Sequence, residues 1–247
     1  MTVDKTEVEF TICEDVACKE YEAHIIDLPG AYSLTEYTIE EKVTKSFLQS
    51  DEYDVIVNVV DSTNLQRNLL FTTQLLETGK KVVVALNMYD EAKNEGIEID
   101  EKQLSAILGV PCIKTSSTTK EGVEALKEAI IKVYEKKETT SKVVYSDHIE
   151  EEISHITTFM KEKNYKSTLP YRHLAVKLLQ EDEDVYKKMH DEPIWIEILP
   201  IVREGLNHIY LHTNTKDLSE IFSDEHFSFA KGARMEVMST KAPLAKN

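Results

Sequence analysis

With 247 residues, the chain has room for one large domain or two modest ones. Hydrophobic residues make up 41% and charged residues 30%, the balance of a soluble globular protein. Against 29 basic residues stand 45 acidic ones, a formal net charge of -16 that repels nucleic-acid backbones and anionic lipid and excludes both as main partners.

Cys13, Cys18 and Cys112 complete no metal template and read as free thiols of a reducing compartment. The apolar runs Val55–Val60 and Val82–Leu86 are far shorter than the ~20 residues a bilayer span takes. Met1 is followed by Thr2, Val3 and Asp4, which is not a signal-peptide pattern.

Taken in order, Glu7–Cys13 alternates polar and apolar residues, Glu14–Ala17 has turn character, and Tyr21–Leu28 reads as the returning arm of a hairpin. Ile39, Val43, Phe47 and Leu48 share one helical face. Asp54–Val60, nearly continuous in β-branched residues, is expected to be a strand buried on both faces. Leu65–Leu76 is helical with Gly79 as its terminator, and Lys81–Leu86 is a second buried strand. A short helix over Glu101–Leu108 stops at Gly109, a strand follows over Val110–Lys114, and Gly122–Tyr134 is an amphipathic helix. Such alternation predicts an α/β fold with a mostly parallel sheet and helices on both faces.

From Ser146 only helical periodicity is found, with Pro170 in a first-turn position and Pro193 and Pro200 bounding or kinking the segment of Trp195. The expected division is an α/β domain over 1–137, a linker over 138–145 and an all-helical domain over 146–247.

Three polar segments fall on successive strand ends. At Asp27-Leu28-Pro29-Gly30, the aspartate can hold a Mg²⁺-bound water and Gly30, lacking a Cβ, lets its amide approach a phosphate oxygen. The same residues also suit an ordinary strand exit. At Asn87-Met88-Tyr89-Asp90, the Asp90 carboxylate can accept two N–H donors from one edge of guanine, a pair adenine does not offer. Asn87 can tie loops together, and Met88 can cover a ring face where Lys is usual. Thr115-Ser116-Ser117 presents small hydroxyl residues whose backbone amides can reach the guanine carbonyl. Together the three loops are expected to line one guanine-nucleotide crevice.

The strings Ile26-Asp27-Leu28-Pro29-Gly30-Ala31-Tyr32-Ser33-Leu34 and Asn87-Met88-Tyr89-Asp90-Glu91-Ala92, with the run Gly96–Leu108, resemble the cytoplasmic domain of FeoB-type ferrous iron transporters. The resemblance covers essentially the whole chain. It implies a P-loop-NTPase-like, small-GTPase-like domain followed by a helical regulatory domain, with GTP or GDP and Mg²⁺ as cofactors. It further implies coupling of nucleotide state to Fe²⁺ uptake through a transporter membrane domain or a separate subunit, at the inner face of the bacterial cell membrane. By it, Thr2 matches the first-switch threonine, a Mg²⁺ ligand beside Asp27, while Gly30, Asn87, Met88, Asp90, Ser116 and Ser117 hold the nucleotide.

Family members carry a strand, a phosphate loop and a helix ahead of that threonine, whereas no Gly-x-x-x-x-Gly-Lys-Ser/Thr string occurs in these residues. Gly79-Lys80-Lys81 is no substitute. The domain is therefore expected to lack its central first strand, leaving the strands that end at Asp27 and Asp61 either unstable or drawn together. GTPase activity is implied by the resemblance alone; a non-hydrolysing interaction module, or an incomplete gene product, is the alternative. Ala31 stands where many GTPases carry a water-orienting glutamine. His208 and His212 lie at i, i+4 without a recognisable third ligand, Glu150–Glu152 reads as a solvated helix face, and Trp195 reads as core or interface.

Overall fold

The computed structural model describes residues 4–14, 17–31, 38–50, 52–136, 143–167 and 169–240, side chains of 4–20 and 49 excepted. Thr2, the Asp15–Val16 turn and most of the expected linker lie outside the described residues.

Strands β1 (Asp4–Glu14) and β2 (Ala17–Asp27) form an antiparallel hairpin, in register from Glu14↔Ala17 to Asp4↔Asp27. Helix α1 (Ile39–Gln49) opens on a capping box, Thr38 accepting from the Glu41 amide while the Glu41 carboxylate accepts from the Thr38 amide. The Thr44 hydroxyl of α1 donates to the carbonyl of Pro29, which fixes the Asp27–Gly30 exit against the helix.

A separate parallel sheet has the order β3 (Ile56–Asp61), β4 (Val82–Asn87), β6 (Cys112–Lys114). Its middle strand is buried from Val82 to Leu86, and period-two geometry sends alternate residues to two cores. Val83 packs with Ala129 and Val133 of α5 (Val123–Glu135), whereas Val82, Val84 and Leu86 join the larger core with Leu69 and Leu76 of α2 (Leu65–Leu76). Asn58, the polar interruption in β3, is buried and donates to the Thr72 hydroxyl of α2 at 2.7 Å, which satisfies it.

The expectation that β3 is buried on both faces is not met: Val57 and Val59 are 37% and 60% exposed. Their face is the one α5 covers over β4, and α5 does not reach across them. The strand edges ending at Asp27 and Asp61 do not meet either. Among the described residues β2 pairs only with β1, and β3 only with β4.

After β4 come α3 (Tyr89–Asn94), β5 (Ile97–Ile99) and α4 (Glu101–Leu108), the last terminated by Gly109 in the left-handed region. Then α6 (Asp147–Glu162), α7 (Tyr171–Leu179), α8 (Glu183–His190), α9 (Trp195–His212) and α10 (Leu218–Val237) follow. Ile149, Ile153, Ile156 and Met160 of α6 share their core with Ile198, Val202, Leu206 and Ile209 of α9. Pro200 lies inside α9, and Trp195 packs partly buried, edge-on to Tyr186 at 5.2 Å.

The expectation of helices alone after Ser146 needs one correction. A short strand β7 (Met238–Thr240) returns to pair antiparallel with β5, and the Asp100 amide donates to the carbonyl of Val237. Between these contacts α10 lies along α2, so the helical half and the α/β half share one core. No helix among the described residues is long and apolar enough to cross a membrane.

Candidate functional site

Parallel pairing of β4 with β6 puts Leu86 opposite Lys114, so both strands release their chains at the same end of the sheet. Across that gap the Asn87 carboxamide oxygen accepts from the Ser117 amide at 3.2 Å, the Ser117 hydroxyl at 3.0 Å and, at the limit of 3.5 Å, the Thr115 hydroxyl. The Thr115 carbonyl in turn accepts from the Tyr89 amide, and Lys114 Nζ stands 4.5 Å from the centre of the Tyr89 ring. One side chain thus locks the two loops, as expected for Asn87.

Met88 sits in the left-handed region at φ 57°, ψ 29°, at the N-cap of α3. That conformation turns the chain sharply from strand into helix and places Asp90 in the first turn, where the helix dipole favours a carboxylate. Asp90 Oδ2 accepts from the Thr118 hydroxyl at 3.0 Å. Hydrogen bonds from the hydroxyls of Ser116 and Thr118 and from nearby backbone amides hold this partly exposed carboxyl below its ordinary range, so it is ionised at neutral pH.

Ser116 is buried. Its amide donates to the Glu121 carbonyl, and its Oγ accepts from the Thr119 amide. The amides of Ser116 and Ser117 are thus both engaged within the protein. The loop closes on Gly122, whose φ of 76° and close approach to the Lys114 carbonyl leave no room for a Cβ. Thr118 and Gly122 were not singled out from the sequence. Continuation of the hydroxyl run through Thr118–Thr119 into Gly122 was the available signal.

The first segment stands apart. Asp27 ends β2 opposite Asp4, exposed, and a Cβ on Gly30 would meet nothing within 4 Å. No sheet hydrogen bond among the described residues ties β2 to β3, so the pairing that brings Asn87 and Ser117 together does not extend to Asp27. Gly79, at φ 73°, lies in the turn after the Glu77 cap of α2 and against the ring of His173, which makes Gly79-Lys80-Lys81 a turn packed on α7 rather than a phosphate cradle. Among the described residues no three His, Cys, Asp or Glu side chains are grouped to hold a metal ion. The described residues therefore fit a guanine base but form no cage for Mg²⁺, which keeps several waters and takes ligands from phosphates.

Comparison with known proteins identifies the family. Residues 1–130 match the family described as ferrous iron transport protein B, and residues 145–239 match the FeoB cytosolic helical domain. The Fe(2+) transporter FeoB of Helicobacter pylori strain J99 is 49% identical over 144 residues, 57% of this chain and 22% of that protein. The chain thus spans about a fifth of that relative's length. The cytosolic domain of T. maritima FeoB in its GMPPNP form superposes with a TM-score of 0.69 at 28% identity, covering 97% of this chain and 86% of that one. A GDP-bound mutant of the S. thermophilus FeoB G-domain gives a TM-score of 0.72 at 31% identity, covering 94% and 90%. By sequence and fold alike, this chain belongs to the FeoB family of ferrous iron transport proteins, as its cytosolic G and helical domains.

Proposed function

We propose that the chain binds guanine nucleotide and passes the state of that nucleotide through its helical half to the Fe²⁺-conducting part of a transporter. The observation that carries this reading is the Asn87 carboxamide holding the Ser117 loop beside an ionised, partly exposed Asp90. In this reading Asp90 accepts two N–H donors of the guanine edge, Met88 covers a ring face, and the Ser116–Ser117 turn supports the base. Gly30 approaches the terminal phosphate, while Asp27 and Thr2 stand by a Mg²⁺ that the phosphates bring with them. The boundaries of this proposal are a nucleotide domain over 1–137, a linker over 138–145 and a helical domain over 146–247, acting on the cytoplasmic side of a cell membrane.

A second reading, binding without turnover, is favoured by the separation of the β1–β2 hairpin from the parallel sheet among the described residues.

Competition against a fluorescent guanine nucleotide tests the proposal. GDP and GTP displace the probe while ATP is roughly 100-fold poorer, because a site built to pair with N–H donors leaves its carboxylate unmatched on adenine. Asp90→Ala removes that preference. Equal competition by ATP sinks the guanine reading, and phosphate release above background sinks the non-hydrolysing form of it.

A further inference from the structure

The loop after β6 carries a row of hydroxyls in which the direction of each hydrogen follows from its neighbours. The Thr119 amide donates to Ser116 Oγ at 3.2 Å, Ser116 Oγ stands 3.0 Å from Thr118 Oγ1, and Thr118 Oγ1 stands 3.0 Å from Asp90 Oδ2. Asp90 is ionised at neutral pH and can only accept, so the single hydrogen of Thr118 points at it. Thr118 then has only lone pairs left for Ser116, and the Ser116 hydroxyl donates to Thr118. The row therefore runs one way, from a backbone amide through buried Ser116 and exposed Thr118 to the carboxylate. Hydroxyls linked head to tail polarise one another, which strengthens the last donor in the row.

An aspartate that reads a base needs such support. The torsion that turns its carboxylate plane is broad and soft, and Asp90 is partly exposed, so hydrogen bonds rather than packing hold that plane. Guanine presents two N–H donors side by side, and one carboxylate meets both only when it lies in the plane of the base. Thr118 takes one lone pair of Oδ2 and leaves another on the same atom, so it orients the carboxylate without blocking it.

We propose that Thr118 is the positioning residue that turns the Asp90 carboxylate into the plane of the base, with Ser116 aiming the Thr118 hydroxyl, and that this row sets the preference for a purine bearing a 2-amino group. The role rests on the guanine reading of the site given above. Without the Thr118 hydrogen the carboxylate is free to turn; a single N–H can follow it, but two fixed side by side cannot. Hypoxanthine keeps the ring N–H of guanine and lacks the 2-amino group, so an inosine nucleotide separates the two contacts. Adenine offers the carboxylate no matching pair and reports on neither.

Displacement of a fluorescent guanine nucleotide from the full chain by GDP, IDP and ADP tests this, with the affinity of the probe measured for each variant. Wild type takes GDP roughly 10-fold or more tighter than IDP, the value of a hydrogen bond to a charged group. Thr118→Val, the same shape without the hydroxyl, removes most of that gap by weakening GDP while IDP moves little, and Thr118→Ser restores it. Ser116→Ala narrows the gap as well, and adding it to Thr118→Val narrows it no further, because the two act in series. Circular dichroism confirms that each variant is folded. A loop that had merely lost packing would weaken GDP and IDP alike. An unchanged GDP-to-IDP ratio in Thr118→Val, with GDP still preferred over ADP, therefore overturns the role of Thr118 and leaves the guanine reading standing. Equal uptake of GDP and IDP by wild type overturns it too, and equal uptake of GDP and ADP overturns both.

Discussion

The carboxylate of Glu77, directly after α2, lies 2.6 Å from Nε2 of His226 in the middle of α10, with both side chains buried. Its second oxygen accepts from Gln180 at 3.2 Å, so one residue of the nucleotide half engages two elements of the helical half. Breaking a buried pair by removing one partner leaves the other without compensation. Glu77→Ala is therefore expected to lower stability by roughly 3 kcal/mol, and Glu77→Gln by about 1 kcal/mol, because an amide oxygen still accepts from His226. Urea unfolding reads both. If neither variant moves the midpoint, the pair contributes nothing.

Gly122→Ala is expected to cost about 2 kcal/mol or more, combining a left-handed backbone with a clash against a carbonyl that cannot move aside. Since the Ser116 amide hydrogen-bonds just ahead of that glycine, guanine affinity falls with the melting temperature. A melting temperature unchanged within a degree contradicts the geometry.

His173 sets a pH dependence. Burial holds its imidazole below the ordinary value of about 6.5, against the opposing pull of a hydrogen bond to the Glu77 backbone. Unfolded, the ring gains a proton as pH falls through that value, while folded it stays neutral to lower pH. In this window the unfolded state holds more protons, so stability rises with pH. The contribution of neutral His173 is complete above about pH 6.5 and is lost in the acid range below it. His173→Gln should flatten the difference between urea midpoints at about pH 5.5 and about pH 7.5, on either side of that value. An unchanged slope means the ring titrates as it does in water.

Cys112 should be chemically silent in the native protein. Burial pushes its thiol up to about 12, overcoming a favourable contact with Ser105. At about pH 8 roughly one molecule in 10⁴ carries the thiolate, the reactive form. Iodoacetamide followed by peptide mapping should leave Cys112 unmodified until urea is added, and rapid native labelling would contradict this.

What could be read from the chain followed from how local the determining physics is. Helices α2 and α4 stand where periodicity placed them, because their own apolar faces decide them; Gly109 caps α4 as read, whereas α2 is capped at Glu77, two residues before Gly79. That Asn87 can tie loops together was legible because parallel strands release their loops at one sheet end, but its partner, Ser117, was not. Strands β5 and β7 were not, since three residues each carry too little pattern and their partners lie far apart in sequence. Nor did the charge run at Glu150–Glu152 reveal that Glu150 pairs with Arg172 or that Glu152 is buried under His208, contacts made only by packing of α6 on its neighbours. Val57 and Val59 look like core residues in sequence but are exposed because no described element covers them.

The three-rung ladder between Ile97–Ile99 and Met238–Thr240 has a mechanical meaning. Tension applied to the chain after Thr240 reaches these rungs before it reaches α10. It is delivered to the segment between α3 and α4, the stretch that follows the proposed guanine-reading turn. A pull at that end thus loads β5 and the entry to α4 over a few residues, without first unwinding α10.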